Sequence, residues 1–148
     1  MSDVTITASR TMPVAPTAIH TAIADYRRHH RPGGFLPPSF EDLEVLDGGV
    51  GAGTHIRMRV RLGRSSRVME ARISEPQPGR VLVESGGDTV TTFTLDPEGA
   101  GTRVTIDTRI VATGLRGWLT RRFAPGMLAP IYADELERLE RYAAALPA

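Results

Sequence analysis

The chain has 148 residues, enough for one domain with a buried core. Its 18 basic and 17 acidic side chains give a net charge of +1, so no strong overall field favours nucleic acid or an anionic membrane. Because it contains no cysteine, disulfides, thiolate nucleophiles and thiolate-held metal clusters are excluded.

The first ten residues predict a β-strand. Val4, Ile6 and Ala8 alternate with polar residues, which is the period of a half-buried strand. This segment has neither a basic start nor an apolar run of signal-peptide length, and no part of the chain reaches the roughly 18 consecutive apolar residues of a spanning helix. We therefore expect a cytoplasmic protein without stable membrane insertion.

A short helix and a proline-rich loop come next. Pro16 suits a first helical position, and apolar residues then recur at helical spacing as far as Tyr26. In the loop that follows, Pro37 and Pro38 forbid a regular central strand. The apolar residues around them predict buried anchors that cap a cavity: Phe35, Leu36 and Phe40.

The chain from 43 to 112 has the alternation of antiparallel strands. We predict strands at 43–47, 55–62, 67–75, 80–85, 88–95 and 102–112. The connections are short, which favours an antiparallel meander. A turn placed at 63–66 sets Arg59 opposite Glu70 in the central hairpin.

The C-terminal segment is helical from Leu115 to Leu146. Pro125 and Pro130 each remove a backbone donor, so we expect the helix to be split or kinked there. The whole pattern predicts an α+β helix-grip fold: a single domain, 1–148, with a curved antiparallel sheet of about seven strands around a long C-terminal helix. One or two short helices follow the first strand.

Several short motifs occur in an order that carries a family resemblance. They are Ala15-Pro16, Asp25-Tyr26, Leu36-Pro37-Pro38, Gly49 to Thr54, Glu75-Pro76, Gly79-Arg80, Thr102 to Thr105 and the closing helix. With this spacing the chain resembles the START-like (SRPBCC) superfamily, of the polyketide cyclase/dehydrase or lipid-transport type. The resemblance implies a cavity for an apolar or amphipathic molecule, with roles from lipid carriage to polyketide cyclisation and dehydration. One departure is His20, where many relatives have an aromatic residue.

Inward-facing residues of the sheet and the last helix are the predicted ligand contacts. They are Tyr26, Ile56, Met58, Val60, Met69, Ala71, Ile73, Phe93, Leu95, Val104, Ile106, Thr108, Trp118, Leu119, Phe123, Met127 and Ile131. Methionines adapt to irregular ligands, and the chain has only eight aromatic residues to fill the space beneath the sheet. We expect these side chains to bind a lipid, a polyketide or an aromatic metabolite.

Two functions remain open at this point. A carrier or sequestering protein would bind its ligand without chemistry. A cyclase or dehydratase would move protons with His20, Tyr26 or His30, the candidate catalytic residues. No cofactor is expected, and no metal, because the four histidines lack His-x-x-x-His spacing.

Two basic clusters bear on partners. Six arginines, at positions 57, 59, 61, 64, 67 and 72, are predicted to cluster on the outer face of one hairpin. This face has no stacking aromatic residues, so a solvated surface is favoured over nucleic acid; a protein-interaction surface, with Arg57, Arg59 and Arg61 at its centre, is a third hypothesis. The second cluster surrounds Trp118 and can serve as a portal for an acidic head group or simply as a solvated helix face. We expect a monomer or homodimer with a small hydrophobic ligand.

Overall fold

The structure is a computed structural model that describes residues 2–147, and it confirms the predicted α+β helix-grip fold. Within these residues seven strands and two helices follow one another in the expected order. They are β1 (Ser2–Met12), α1 (Pro16–Ala24), β2 (Phe40–Asp47), β3 (His55–Leu62), β4 (Ser65–Gln77), β5 (Val81–Gly86), β6 (Thr89–Glu98), β7 (Gly101–Ala112) and α2 (Gly114–Ala144).

The strands form one antiparallel sheet in the order β1-β7-β6-β5-β4-β3-β2. Strands β2 to β7 are a meander because each connection is short, and β1 adds to the sheet beside β7. The alternation of the sequence puts one apolar face of every strand toward the helices.

The C-terminal half of α2 closes the core on one side of the sheet. Leu136, Leu139 and Ala143 recur at helical spacing, are buried, and belong to one hydrophobic cluster with Val4 and Ile6 of β1. This packing anchors the helix across the sheet. It leaves the N-terminal half of α2 over a less filled region.

The predicted split of the last helix at its prolines is wrong, whereas a kink there stays a prediction. α2 is a continuous helix through Pro125 and Pro130. A proline leaves the carbonyl four residues earlier without its helical donor, and here those carbonyls belong to the exposed residues Arg121 and Gly126, where water can bond them. No helix within residues 2–147 is long and apolar enough to span a membrane.

The predicted register of the β3–β4 hairpin is also wrong. The turn is two residues, 63–64, so Leu62 pairs with Ser65 and Arg59 lies opposite Val68. Glu70 is instead opposite Arg57, and their side chains are 3.5 Å apart. The prediction placed four residues in the turn, which shifts every partner by two positions and keeps each side chain on its correct face.

Candidate ligand-binding cavity

A cavity of about 80 Å³, which we call the inner chamber, lies between the sheet and α2. Its walls are mainly apolar side chains from β3, β4 and β6, and its outer side is bounded by Leu36 and Phe40 of the proline-rich loop and β2. The predicted ligand contacts that line it are Ile56, Met58, Val60, Met69, Phe93 and Thr108. The loop residues Phe35 and Leu36 are buried, as expected of anchors.

A second space of about 380 Å³, the outer groove, adjoins the inner chamber. The two spaces share four lining residues, so they lie against each other: Leu62, Arg67, Ile110 and Leu128. The outer groove is lined by the N-terminal half of α2, and three predicted contacts lie there: Leu119, Phe123 and Met127.

The inner chamber ends in a buried polar cluster around Glu84 of β5. The Tyr26 hydroxyl donates a hydrogen bond of 2.6 Å to Glu84 Oε2. His30 Nε2 lies 3.6 Å from the same oxygen, beyond hydrogen-bonding distance. Both Glu84 and His30 line the chamber, whereas Tyr26 is fully buried behind them.

The tautomer of His30 follows from its other ring nitrogen. His30 Nδ1 is 2.7 Å from the carbonyl oxygen of Ile23, which only accepts hydrogen bonds, so Nδ1 carries the proton. Burial lowers the pKa of His30 below its ordinary value despite the nearby Glu84 carboxylate. At neutral pH the Nε2 atom is therefore an unprotonated acceptor at the edge of the chamber.

Glu135 of α2 is the second buried carboxyl that lines the chamber. It is 2% exposed, and its carboxyl makes no hydrogen bond to any residue in 2–147. Burial raises the pKa of Glu135 well above its usual value, and the charges of Glu84 and Asp134 raise it further. Glu135 is therefore held as a neutral acid.

A chain of hydroxyl groups completes the polar end. Tyr132 Oη and Thr108 Oγ1 are 2.6 Å apart, and Thr108 Oγ1 is 2.9 Å from Thr91 Oγ1. Burial raises the pKa of Tyr132 to about 12, so its hydroxyl stays protonated. Within residues 2–147 no group of three or more acidic or histidine side chains is placed to hold a metal ion.

The other predicted ligand contacts lie outside the two spaces. Ala71 lines a small depression beside Met69, Trp118 is 54% exposed on α2, and Ile131 packs against the core. Four residues are buried in the closed part of the core: Ile73, Leu95, Val104 and Ile106. Ligand contact by any of these residues stays a prediction.

The candidate catalytic residue His20 also lies away from the chamber. Its Nε2 is 2.6 Å from Glu75 Oε1 of β4, and it lines neither the inner chamber nor the outer groove. Of the three candidates, only His30 reaches the chamber wall.

Sequence reasoning missed both chamber carboxyls, although each left a signal. Glu84 is two residues from Leu82 on β5 and so shares its inward face. Glu135 lies three residues after Tyr132 and four before Leu139, within the buried stripe of α2. A carboxyl in phase with core residues is the pattern that marks such a site.

The fold and the chamber define a helix-grip protein with an internal cavity that has apolar walls and an acidic end. The chain matches the model of the family described as polyketide cyclase / dehydrase and lipid transport over residues 3–144. It belongs to that family, which confirms the resemblance seen in the sequence. A search of curated proteins found no match.

Solved structures share the fold. The KanY protein, solved by NMR in solution, is 27% identical with a TM-score of 0.82, and the match covers 98% of this chain and 100% of that one. The Zhui aromatase/cyclase from a Streptomyces species is 14% identical, with 97% and 94% covered and a TM-score of 0.76. The di-domain ARO/CYC StfQ of the steffimycin pathway is 13% identical with a TM-score of 0.76; 96% of this chain matches 51% of StfQ.

Proposed function

We propose that this protein binds a hydrophobic or amphipathic small molecule, such as a lipid, a polyketide or an aromatic metabolite, between the sheet and α2. The observation that supports this most directly is the inner chamber, whose apolar walls end in hydrogen-bonding groups and which adjoins the outer groove. Apolar burial at about 25 cal/mol per Å² supplies affinity, and the polar end fixes orientation.

Filling the chamber should abolish binding. Met69 lines the inner chamber, so the substitution Met69→Trp places an indole in the space that the ligand needs. We expect affinity for a neutral apolar probe, Nile red, to fall roughly tenfold or more, which corresponds to at least about 1.4 kcal/mol. Fluorescence titration measures this change.

The matched control is Val68→Trp. Val68 precedes Met69 on β4, points to the opposite face of the sheet and is 60% exposed. Nile red affinity should stay within about twofold of the parent. Equal loss in both variants, or no loss in either, would show that the probe does not occupy the chamber.

A second candidate function is acid–base catalysis of cyclisation and dehydration. Two chamber groups favour it: unprotonated His30 Nε2 is a base, and Glu135 is held as a neutral acid. Titratable groups whose pKa values are displaced in opposite directions are typical of acid–base assignments in enzymes. Family membership fits this chemistry.

The corresponding reaction balances with these two groups alone. His30 removes a proton from a carbon between two ketones, and that carbon bonds to a further carbonyl carbon, whose oxygen takes the proton of Glu135. The Glu135 carboxylate then removes a second α-proton while the new hydroxyl takes the His30 proton and leaves as water. Both side chains return to their starting states.

Turnover of a synthetic poly-β-ketone tests this candidate. His30→Gln and Glu135→Gln should each lower the rate by roughly 100-fold or more, while Nile red binding persists. His20→Ala is the control, because His20 pairs with Glu75 outside the chamber. Turnover retained in both chamber variants, or lost in His20→Ala, would contradict these roles.

A further inference from the structure

The polar end of the inner chamber has more hydrogen-bond acceptors than donors. Glu84 receives one side-chain hydrogen bond, from Tyr26, among residues 2–147. His30 Nε2 is a bare acceptor 3.6 Å from Glu84, and Glu135 has no partner there. Within residues 2–147 no fully enclosed side-chain nitrogen or oxygen lacks a hydrogen-bond partner. The acceptors here that receive no side-chain donor therefore keep access to the chamber, where a ligand can supply the donor.

Within residues 2–147 no positively charged side chain supplies the missing donors at the polar end. The sequence contains no lysine, and the one arginine that lines the inner chamber in these residues is Arg67. Its predicted place on the outer face of the hairpin is wrong: it shares the inward face of Met69 and is exposed where the chamber meets the outer groove. Glu135 is 2% exposed and belongs to the chamber lining. Because no fully enclosed side-chain oxygen in residues 2–147 lacks a hydrogen-bond partner, the unbonded Glu135 carboxyl keeps a small accessible surface, which we assign to the chamber.

We propose that the ligand carries a protonated amine, which binds at the polar end of the inner chamber between Glu84, Glu135 and His30 while its apolar body lies along the chamber walls. This inference rests on the proposed binding function and names the class of ligand. An alkylammonium group has three donors and a positive charge, which match two carboxyls and the bare His30 nitrogen.

Other head groups fit less well. A ketone, the substrate of the catalytic candidate above, accepts a hydrogen bond from neutral Glu135 but supplies no donor to Glu84 or His30 Nε2, so the amine and the ketone are alternative ligands of one chamber. A hydroxyl supplies one donor, and a carboxylate would face Glu84 with like charge. Phe93 also lines the chamber, beside His30, and its ring adds an aromatic surface that favours a cation.

Amine binding should release a proton from the protein. Glu135 is neutral in the free protein, and an ammonium beside it favours its ionised form. The titratable groups that face it are Glu84 of β5, Asp134 and Tyr132 of α2, and His30 and Tyr26 from the segment after α1. We expect release of about one proton per amine bound at neutral pH, from Glu135.

Three probes with the same tail test the proposal: octylamine, 1-octanol and octanoate. In calorimetric titrations of the intact protein, octylamine should bind at least roughly tenfold more tightly than octanol, and octanoate more weakly than both. Titration in two buffers of different ionisation enthalpy should show proton release for octylamine alone. Equal or tighter binding of octanol or octanoate would overturn the amine proposal yet leave the binding function standing. Absence of binding by all three would overturn both.

Substitutions of the two chamber carboxyls test where the amine binds. Glu135→Gln and Glu84→Gln keep the side-chain shape and remove the charge, so each should erase most of the preference for octylamine over octanol. Glu137→Gln is the control, since Glu137 is exposed on the same helix and pairs with Arg141. If Glu84→Gln lowers the melting temperature, its loss of binding no longer reports on the amine alone. The Glu135→Gln variant then tests the assignment. An unchanged octylamine preference in a folded Glu135→Gln variant would refute the assignment.

Discussion

The substitution Gly86→Ala is expected to lower the free energy of unfolding by about 3 kcal/mol or more. Gly86 ends β5, and a Cβ atom built on it would collide with the carbonyl oxygen of Glu70 and lie 3.2 Å from the Cα of Ala71. Both contacts are with the backbone of β4, so no side-chain rotation relieves them. The two strands must separate.

Separation of these strands also changes the inner chamber. β4 contributes Met69 to its wall and β5 contributes Glu84 to its polar end. We therefore expect Gly86→Ala to weaken Nile red binding as well as stability, with urea denaturation and fluorescence titration as the two measurements.

Gly87→Ala is the matched control at the next residue. A Cβ on Gly87 would meet no atom within 4 Å, although its φ of +56° is unfavourable for alanine. Its cost should be about 1 kcal/mol, the penalty of the left-handed conformation alone. If Gly86→Ala destabilises no more than Gly87→Ala, the backbone collision does not govern stability at this turn.

The fold was predictable because the hydrophobic residues of the sequence recur with clear strand and helix periods. Alternation in β3 and the stripe of Leu136, Leu139 and Ala143 in α2 each indicate one buried face, and packing follows from these faces. The hairpin register was not predictable, because a turn of two residues and one of four keep the same faces. The continuity of α2 through Pro125 depends on exposure of the neighbouring backbone, which local pattern does not reveal.

The site was less predictable than the fold for a related reason. Sequence reasoning assigns charged residues to the surface. Glu135 is buried because helical spacing places it on the same face of α2 as Leu139. Its proximity to Glu84 results from the tertiary packing of α2 against the sheet, which the pattern of either element does not reveal. The apolar walls were foreseen, whereas the acidic end became visible only once the two elements were packed.

The second large effect is a gain in stability from Glu135→Leu. Leucine removes a buried carboxyl that has no hydrogen-bond partner in residues 2–147 and joins the apolar stripe of α2. We expect the free energy of unfolding to rise by about 1–3 kcal/mol at pH 4.5, and the melting temperature by roughly 2–4 °C per kcal/mol. Glu137→Leu is the control: Glu137 is exposed, so its change should stay within about 0.5 kcal/mol.

The gain from Glu135→Leu should increase with pH. Glu135 has a raised pKa in the folded protein, so the folded state retains its proton while the unfolded state loses it above the ordinary value of 4.5. The parent therefore loses stability as pH rises above 4.5, by up to about 1.4 kcal/mol per pH unit, until Glu135 ionises in the folded state. The leucine variant lacks this loss. A difference between variant and parent that stays constant from pH 4.5 to 7 would contradict the raised pKa.

The same variant connects stability to binding. If Glu135 binds the amine of the ligand, Glu135→Leu should be more stable than the parent and should bind octylamine no better than octanol. Glu137→Leu should change neither stability nor the preference for octylamine. Octylamine should in turn raise the melting temperature of the parent more than that of the leucine variant, because a ligand stabilises the state it binds. A leucine variant that gains stability and keeps the amine preference would refute the assignment of the amine to Glu135.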